Sequence, residues 1–212
     1  METDLAILCP DGAWPQALGA ILSRSQSLGI RPVSVKFIPD PLRDSSPQAV
    51  ELLRPFLTSA GRALVVRDFA GSGWESRGVA ELAGALRTEL ERNGWVPERV
   101  AVLIAEPEIE SWLRLASAHL HSLLQDRARR NREDIPGWNG KLEEALRIHG
   151  GLDANGKAVA PKEVFRYLLR HYGIPPSNAL FEYLGNRESL SGCVVPSFVR
   201  FLEIMRRWFP KA

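Results

Sequence analysis

The sequence is poor in the residues that build covalent staples and soft-metal sites. Only two cysteines, Cys9 and Cys193, occur among 212 residues, far apart and without a CxxC pair. That excludes a disulfide framework and a thiolate zinc site. Of the four histidines, His119 and His121 stand two apart and face different sides of a helix; His149 and His171 stand alone. None belongs to an HExxH or nucleophile-elbow pattern, so no nucleophilic triad is evident. No apolar run reaches about 18 residues, which argues against a membrane-spanning helix. The start, Met1-Glu2-Thr3-Asp4, is acidic and leads into a short apolar run, unlike a secretory signal. The cytosol is therefore the expected compartment.

Charge of one sign is also scarce. The chain carries 27 basic and 25 acidic residues, a formal net charge of +2, which argues against coating nucleic acid by electrostatics alone. Lysine is rare, 5 against 22 arginines. That bias suits bidentate phosphate contacts and is equally a mark of a G+C-rich genome. Up to Ala105 the chain has 11 basic and 12 acidic residues, and after it 16 and 13. The second part is thus mildly basic.

What is present is a 45% hydrophobic, 25% charged composition, that of a chain able to bury a core unaided. Continuous apolar runs at Leu5–Cys9, Ala63–Val66 and Val100–Ala105 read as buried strands, and Val33, Val35, Phe37 and Ile38 mark another. Between them, residues 14–28, 47–58 and 76–92 carry apolar positions at helical spacing. Such alternation predicts βαβ units: a mostly parallel, four-stranded, Rossmann-like sheet with helices on both faces. Strand signals stop near residue 124. Helices are expected near 139–148, 161–172, 177–184 and 196–208, so residues 1–123 read as an α/β domain and 124–212 as a helical C-terminal cap packed on it.

Ligands in open parallel sheets bind beyond the carboxyl ends of the strands. Asp11 follows strand one, Asp68 ends strand three, and Glu106, Glu108 and Glu110 follow strand four. Carboxylates gathered there suit Mg²⁺, which takes hard oxygen ligands. Turn geometry and helix N-termini favour the same residues on structural grounds alone. With Pro107 at a first helical turn, Glu106 and Glu110 share one side and Glu108 lies opposite. Glu106 is then the stronger metal candidate, and Asp11, Asp68 and Glu106 the candidate metal set. Gly71-Ser72-Gly73 is either an anion-binding nest or simply a tight turn, with Glu75 just beyond it. It lacks the Lys-[Ser/Thr] ending of a P-loop. Arg127, Arg129, Arg130 and Arg132 lie in a charged run that reads as a solvated segment or as contacts to a nucleic-acid backbone.

Taken together, the acidic position after strand one, the Asp68 Gly-rich loop and Ala105-Glu-Pro-Glu-Ile-Glu-Ser-Trp-Leu113 resemble the small stand-alone TOPRIM-like proteins of bacterial anti-phage defence loci, of the methylation-associated type. Gly192–Phe198, Arg207–Pro210 and Pro161-Lys162-Glu163 are similar to later stretches of that family. The resemblance implies a TOPRIM-like core in which a glutamate after strand one and an Asp-x-Asp or Asp-x-Glu after strand three bind Mg²⁺. Asp68 would fill the first place of that pair and Asp68, Glu106 and Glu108 would serve catalysis. Its partners would be other defence proteins and, through local contacts, DNA or RNA. Two departures stand out: Asp11 replaces the glutamate, and the second acid of the pair is Ala70. The resemblance thus implies either Mg²⁺-dependent phosphodiester cleavage or a catalytically degenerate sensor or scaffold.

Overall fold

A computed structural model describes residues 3–41, 47–130, 138–190 and 193–211. Four parallel strands, β1 (Thr3–Cys9), β2 (Val35–Pro39), β3 (Ala60–Asp68) and β4 (Val100–Ala105), form one sheet in the order β2-β1-β3-β4. The α/β, Rossmann-like class expected from the alternation is the one observed.

The pleat sorts side chains cleanly. Leu5, Ile7, Cys9, Leu64, Val66, Leu103 and Ala105 point into one hydrophobic layer. Their neighbours Ala6, Leu8, Ala63, Val65, Val100 and Ile104 point into the other. Continuous apolar strands are the signature of a sheet buried on both faces, because period-two alternation then has no polar side.

The thinner layer holds the 3-10 helix Pro47–Phe56, which carries Pro55 inside it, together with an α-helix, Val79–Arg92. The thicker layer begins with α1 (Ala13–Leu22) and the short α2 (Ser25–Leu28). The helix over Val79–Arg92 is α3, and α4 (Ala118–Arg130), α5 (Trp138–Ile148), α6 (Pro161–His171), α7 (Ala179–Arg187) and α8 (Pro196–Trp208) follow. The C-terminal helices share one core with the sheet: Phe201, Ile204 and Leu180 are buried with Leu5 and Leu64. Residue 123 falls inside α4.

Two contacts fix that layer. At Gly185 of α7 an added Cβ would lie 2.9 Å from Ala20 Cβ and 3.1 Å from Ala17 O, so glycine permits the close approach of α7 to α1. Arg24 then donates to the carbonyls of Gly185 and Glu188 at 2.7 and 2.8 Å, satisfying the C-terminus of α7. No helix among the described residues is long and apolar enough to cross a membrane.

The segment after β4 departs from the expected helix. The Glu106–Pro107 peptide is cis, and Glu108 is extended, with φ −161° and ψ 174°. A single 3-10 turn, Ile109–Trp112, follows, and α4 starts only at Ala118. The 100° spacing of an α-helix therefore does not apply to residues 106–110.

Candidate functional site at the carboxyl edge of the sheet

With β1 leading outward to β2 and the chain then returning to β3 on the other side of β1, the strand order reverses between β1 and β3. The crevice for a ligand lies there, beyond their carboxyl ends. Asp68, the last residue of β3, is 5% exposed. Its Oδ1 accepts the Ile109 backbone N–H at 2.9 Å and the Trp14 indole N–H at 3.2 Å. Asp68 thereby ties β3, α1 and the 109–112 turn together. Alongside, Phe69 N–H donates to Ala105 O and Ala70 N–H to Pro107 O, both at 2.8 Å, so the chains leaving β3 and β4 run side by side.

Glu108 and Glu110 lie near one another and near Lys162. Both glutamates are nearly buried. Lys162, in the first turn of α6, places Nζ 2.6 Å from Glu108 Oε2. A cation is unfavourable at a helix N-terminus, and here the acids compensate. Burial works against the Lys162 ammonium, but its hydrogen bond to Glu108 and the charges of Glu110, Glu108 and Asp68 outweigh it and hold its pKa above the ordinary lysine value. Glu110 is pushed up to about 7, first by burial and then by Glu108, with Lys162 pulling the other way and Asp11 adding to the rise. Its Oε2 is buried without a hydrogen-bond donor among the described residues. Glu110 thus exchanges its proton near neutral pH.

Asp11 stands at the mouth. Its Oδ1 accepts the Ala13 N–H at 2.9 Å and so starts α1. Asp11, Glu110, Lys162, Arg166 and Asn178 line an open groove of about 370 Å³. Beside it, a Cβ added at Gly12 would run into Asn178 Nδ2, so a larger residue there would have to displace that amide.

The expected residues therefore separate. Asp11, Asp68 and Glu108 surround Lys162 and Glu110. Glu106, favoured on helical spacing, is exposed and lines another cavity of about 460 Å³ with Asp153, Asn155 and Lys157. The physical reason is that no α-helix begins at Pro107: Glu108 is extended and a 3-10 turn follows, so 100° spacing does not apply across residues 106–110. Among the described residues no three His, Cys, Asp or Glu side chains are grouped to hold a metal ion. Mg²⁺ needs fewer, one or two carboxylates with water and phosphate oxygens.

The glycine loop also differs from expectation. Gly71 and Gly73 have φ of 85° and 76°, and an added Cβ would meet nothing within 4 Å at either. Glycine is needed there for the left-handed backbone, not for space. The N–H groups of Gly71 and Gly73 donate to Glu75 Oε1 at 2.7 and 3.4 Å. Glu75's own N–H, then those of Gly71, Gly73 and Ser72, hold its carboxyl below the usual range against a small desolvation. The nest assigned to phosphate is thus filled by a carboxylate of the chain. The Ser72 hydroxyl accepts the Trp74 N–H at 3.2 Å and is buried.

Of the arginines, Arg127 lies half-buried on α4, Arg129 and Arg130 are backbone positions of the same helix, and Arg132 lies outside the described residues. Lys162 was visible in the sequence only as part of Pro161-Lys162-Glu163. A lysine directly after a proline that opens a helix sits against the helix dipole, and that is a readable signal.

No protein-family model matches the chain, and neither a curated protein nor a solved structure does.

Proposed function

We propose that the chain is a TOPRIM-like component of a prokaryotic anti-phage defence system, working in the cytosol, that cleaves phosphodiester bonds of nucleic acid with Mg²⁺. The observation that carries this reading is the pair Glu108 and Glu110, buried side by side between Asp68 and Asp11 at the strand-order reversal. The donor set fits the metal: all are hard oxygens, and Glu110 Oε2 is a buried carboxylate oxygen that a cation or a proton would satisfy. Glu108 and Glu110 would hold the ion, with Asp68 behind them; when bound, it would polarise a phosphoryl oxygen. Lys162 would offset negative charge on the phosphate, and with the ion bound Glu110 would be ionised, its buried carboxylate neutralised by the cation instead of by a proton. Arg127, Arg129 and Arg130 would add backbone contacts to DNA or RNA. Titration calorimetry with Mg²⁺ and Mn²⁺, and cleavage assays on labelled DNA and RNA, test it. Binding that Glu110→Gln weakens at least tenfold, with loss of cleavage, is expected; a folded protein that neither binds metal nor cuts several nucleic acids overturns it.

Two observations favour a second reading, a catalytically degenerate sensor or scaffold among other defence proteins. Ala70 replaces an acid, and the Lys162–Glu108 ion pair supplies an internal cation. Ala70→Asp separates the two readings. A large gain in Mg²⁺ affinity identifies an incomplete metal site, and no gain favours the scaffold.

A further inference from the structure

The other cavity of note lies beside the opposite ends of β3 and β4. It is a groove of about 610 Å³ along β4, between α3 and α8. Its floor is Val100, Ala101 and Val102, at the amino end of the strand. Strand β4 is an edge of the sheet and pairs only with β3 among the described residues. Its walls carry Arg62, Arg87, Arg200 and Arg207 against a single acid, Glu98.

Those arginines are available. Among the described residues Arg87 and Arg200, both more than half exposed, pair only with neighbours on their own helices, Glu91 and Glu203, each at 3.1 Å. Such surface pairs contribute about 0–1 kcal/mol and exchange readily for another carboxylate. Arg207 is exposed and makes no ion pair among the described residues. Arg62 lies over the Trp208 ring at 6.0 Å, and its Nε is buried without an acceptor among the described residues.

An open strand edge presents backbone donors and acceptors that only another extended polypeptide matches in register. Four arginines and one glutamate line this groove, +3 by its lining and +1 with the Glu91 and Glu203 partners counted, and the excess of arginine selects acidic side chains in that polypeptide. A second copy of this chain is disfavoured, since edge-to-edge pairing would set arginine against arginine. We infer that the β4 edge is a docking site for an extended, acidic segment of a partner protein, which adds a fifth strand to the sheet. The Arg62, Arg87, Arg200 and Arg207 side chains bind its carboxylates. This site is remote in the fold from the carboxyl-edge acids and does not depend on their role.

A fluorescein-labelled nonapeptide alternating valine and glutamate is the probe, with its valine–lysine counterpart as control. Fluorescence anisotropy should show the acidic peptide binding at least tenfold more tightly than the basic one. Arg87→Glu with Arg207→Glu, both at exposed positions, should weaken it tenfold or more while thermal melting stays unchanged. Amide hydrogen exchange at Val100–Val102 should slow in the complex. The inference fails if the two peptides bind alike or not at all, or if binding leaves the β4 amides unprotected. It also fails if a labelled single-stranded 20-mer DNA binds more tightly and displaces the peptide, or if light scattering shows the free chain dimerised through this edge.

Discussion

Two ion pairs of the same length, 2.6 Å, sit at the carboxyl edge of the sheet in opposite circumstances. Arg67 of β3 meets Asp40 just beyond β2, with side chains 1% and 0% exposed. Lys162 meets Glu108 with 32% and 9% exposed, and a third group, Glu110, shares their charges. Among the described residues the sealed pair sets one cation against one anion, and Arg67 also donates to Val66 O at 3.0 Å. The second is mismatched, one ammonium among carboxylates, and opens on a groove. A sealed, balanced pair holds strands in place and offers nothing to a ligand. An unbalanced pair at a crevice keeps a carboxyl near neutrality and is where exchange with solvent or substrate takes place.

The largest effect should come from breaking the sealed pair. Arg67→Met leaves the Asp40 carboxylate buried without its guanidinium and should cost about 3–5 kcal/mol in urea unfolding. Arg67→Met combined with Asp40→Leu should recover most of that loss, and failure to recover would mean that Arg67 does more than balance Asp40.

Next comes the pH dependence of the open cluster. With its pKa raised from 4.5 to about 7, Glu110 holds a proton in the folded chain that the unfolded chain has released. Stability contributed by this group is therefore fully present below pH 4.5 and is lost as pH rises toward 7, on the order of 3 kcal/mol at most. Urea denaturation of wild type and Glu110→Gln from pH 4.5 to 8 should show that slope in the first and a flatter profile in the second.

Lys162→Met removes the charge that pulls Glu110 down, so the same transition should move upward by roughly one unit. An unmoved transition would detach Lys162 from the cluster. The smallest effect is expected at an ordinary surface pair. Arg77→Ala breaks the 2.9 Å contact with Glu81, both more than half exposed, and should change the unfolding free energy by less than about 1 kcal/mol.

Strands β1, β3 and β4 were legible as uninterrupted apolar runs, β2 as apolar positions alternating around Lys36, and the last four helices as helical stripes. The sealed pair was hidden: Arg67 interrupts the apolar run Ala63–Val66 only at its end, and its partner lies 27 residues away. The acids after β4 were read with the wrong period. Pro107 resembled the first residue of an α-helix, whereas Glu108 is extended and a 3-10 turn follows it, so α-helical spacing fails there. With that spacing gone, Glu108 joins Glu110 at the crevice and Glu106 does not. Lys162 reaches Glu108 across 54 residues, a distance at which periodicity carries no information.

The carboxylate of Glu75, folded back onto the Gly71 and Gly73 amides, acts as a tethered pseudo-ligand. An intramolecular anion has an effective concentration in the millimolar range or above. A free phosphate would have to exceed that merely to compete, so the loop discriminates against dilute inorganic anions. Glu75→Gln would untether that competitor and turn a self-saturated turn into a receptive one.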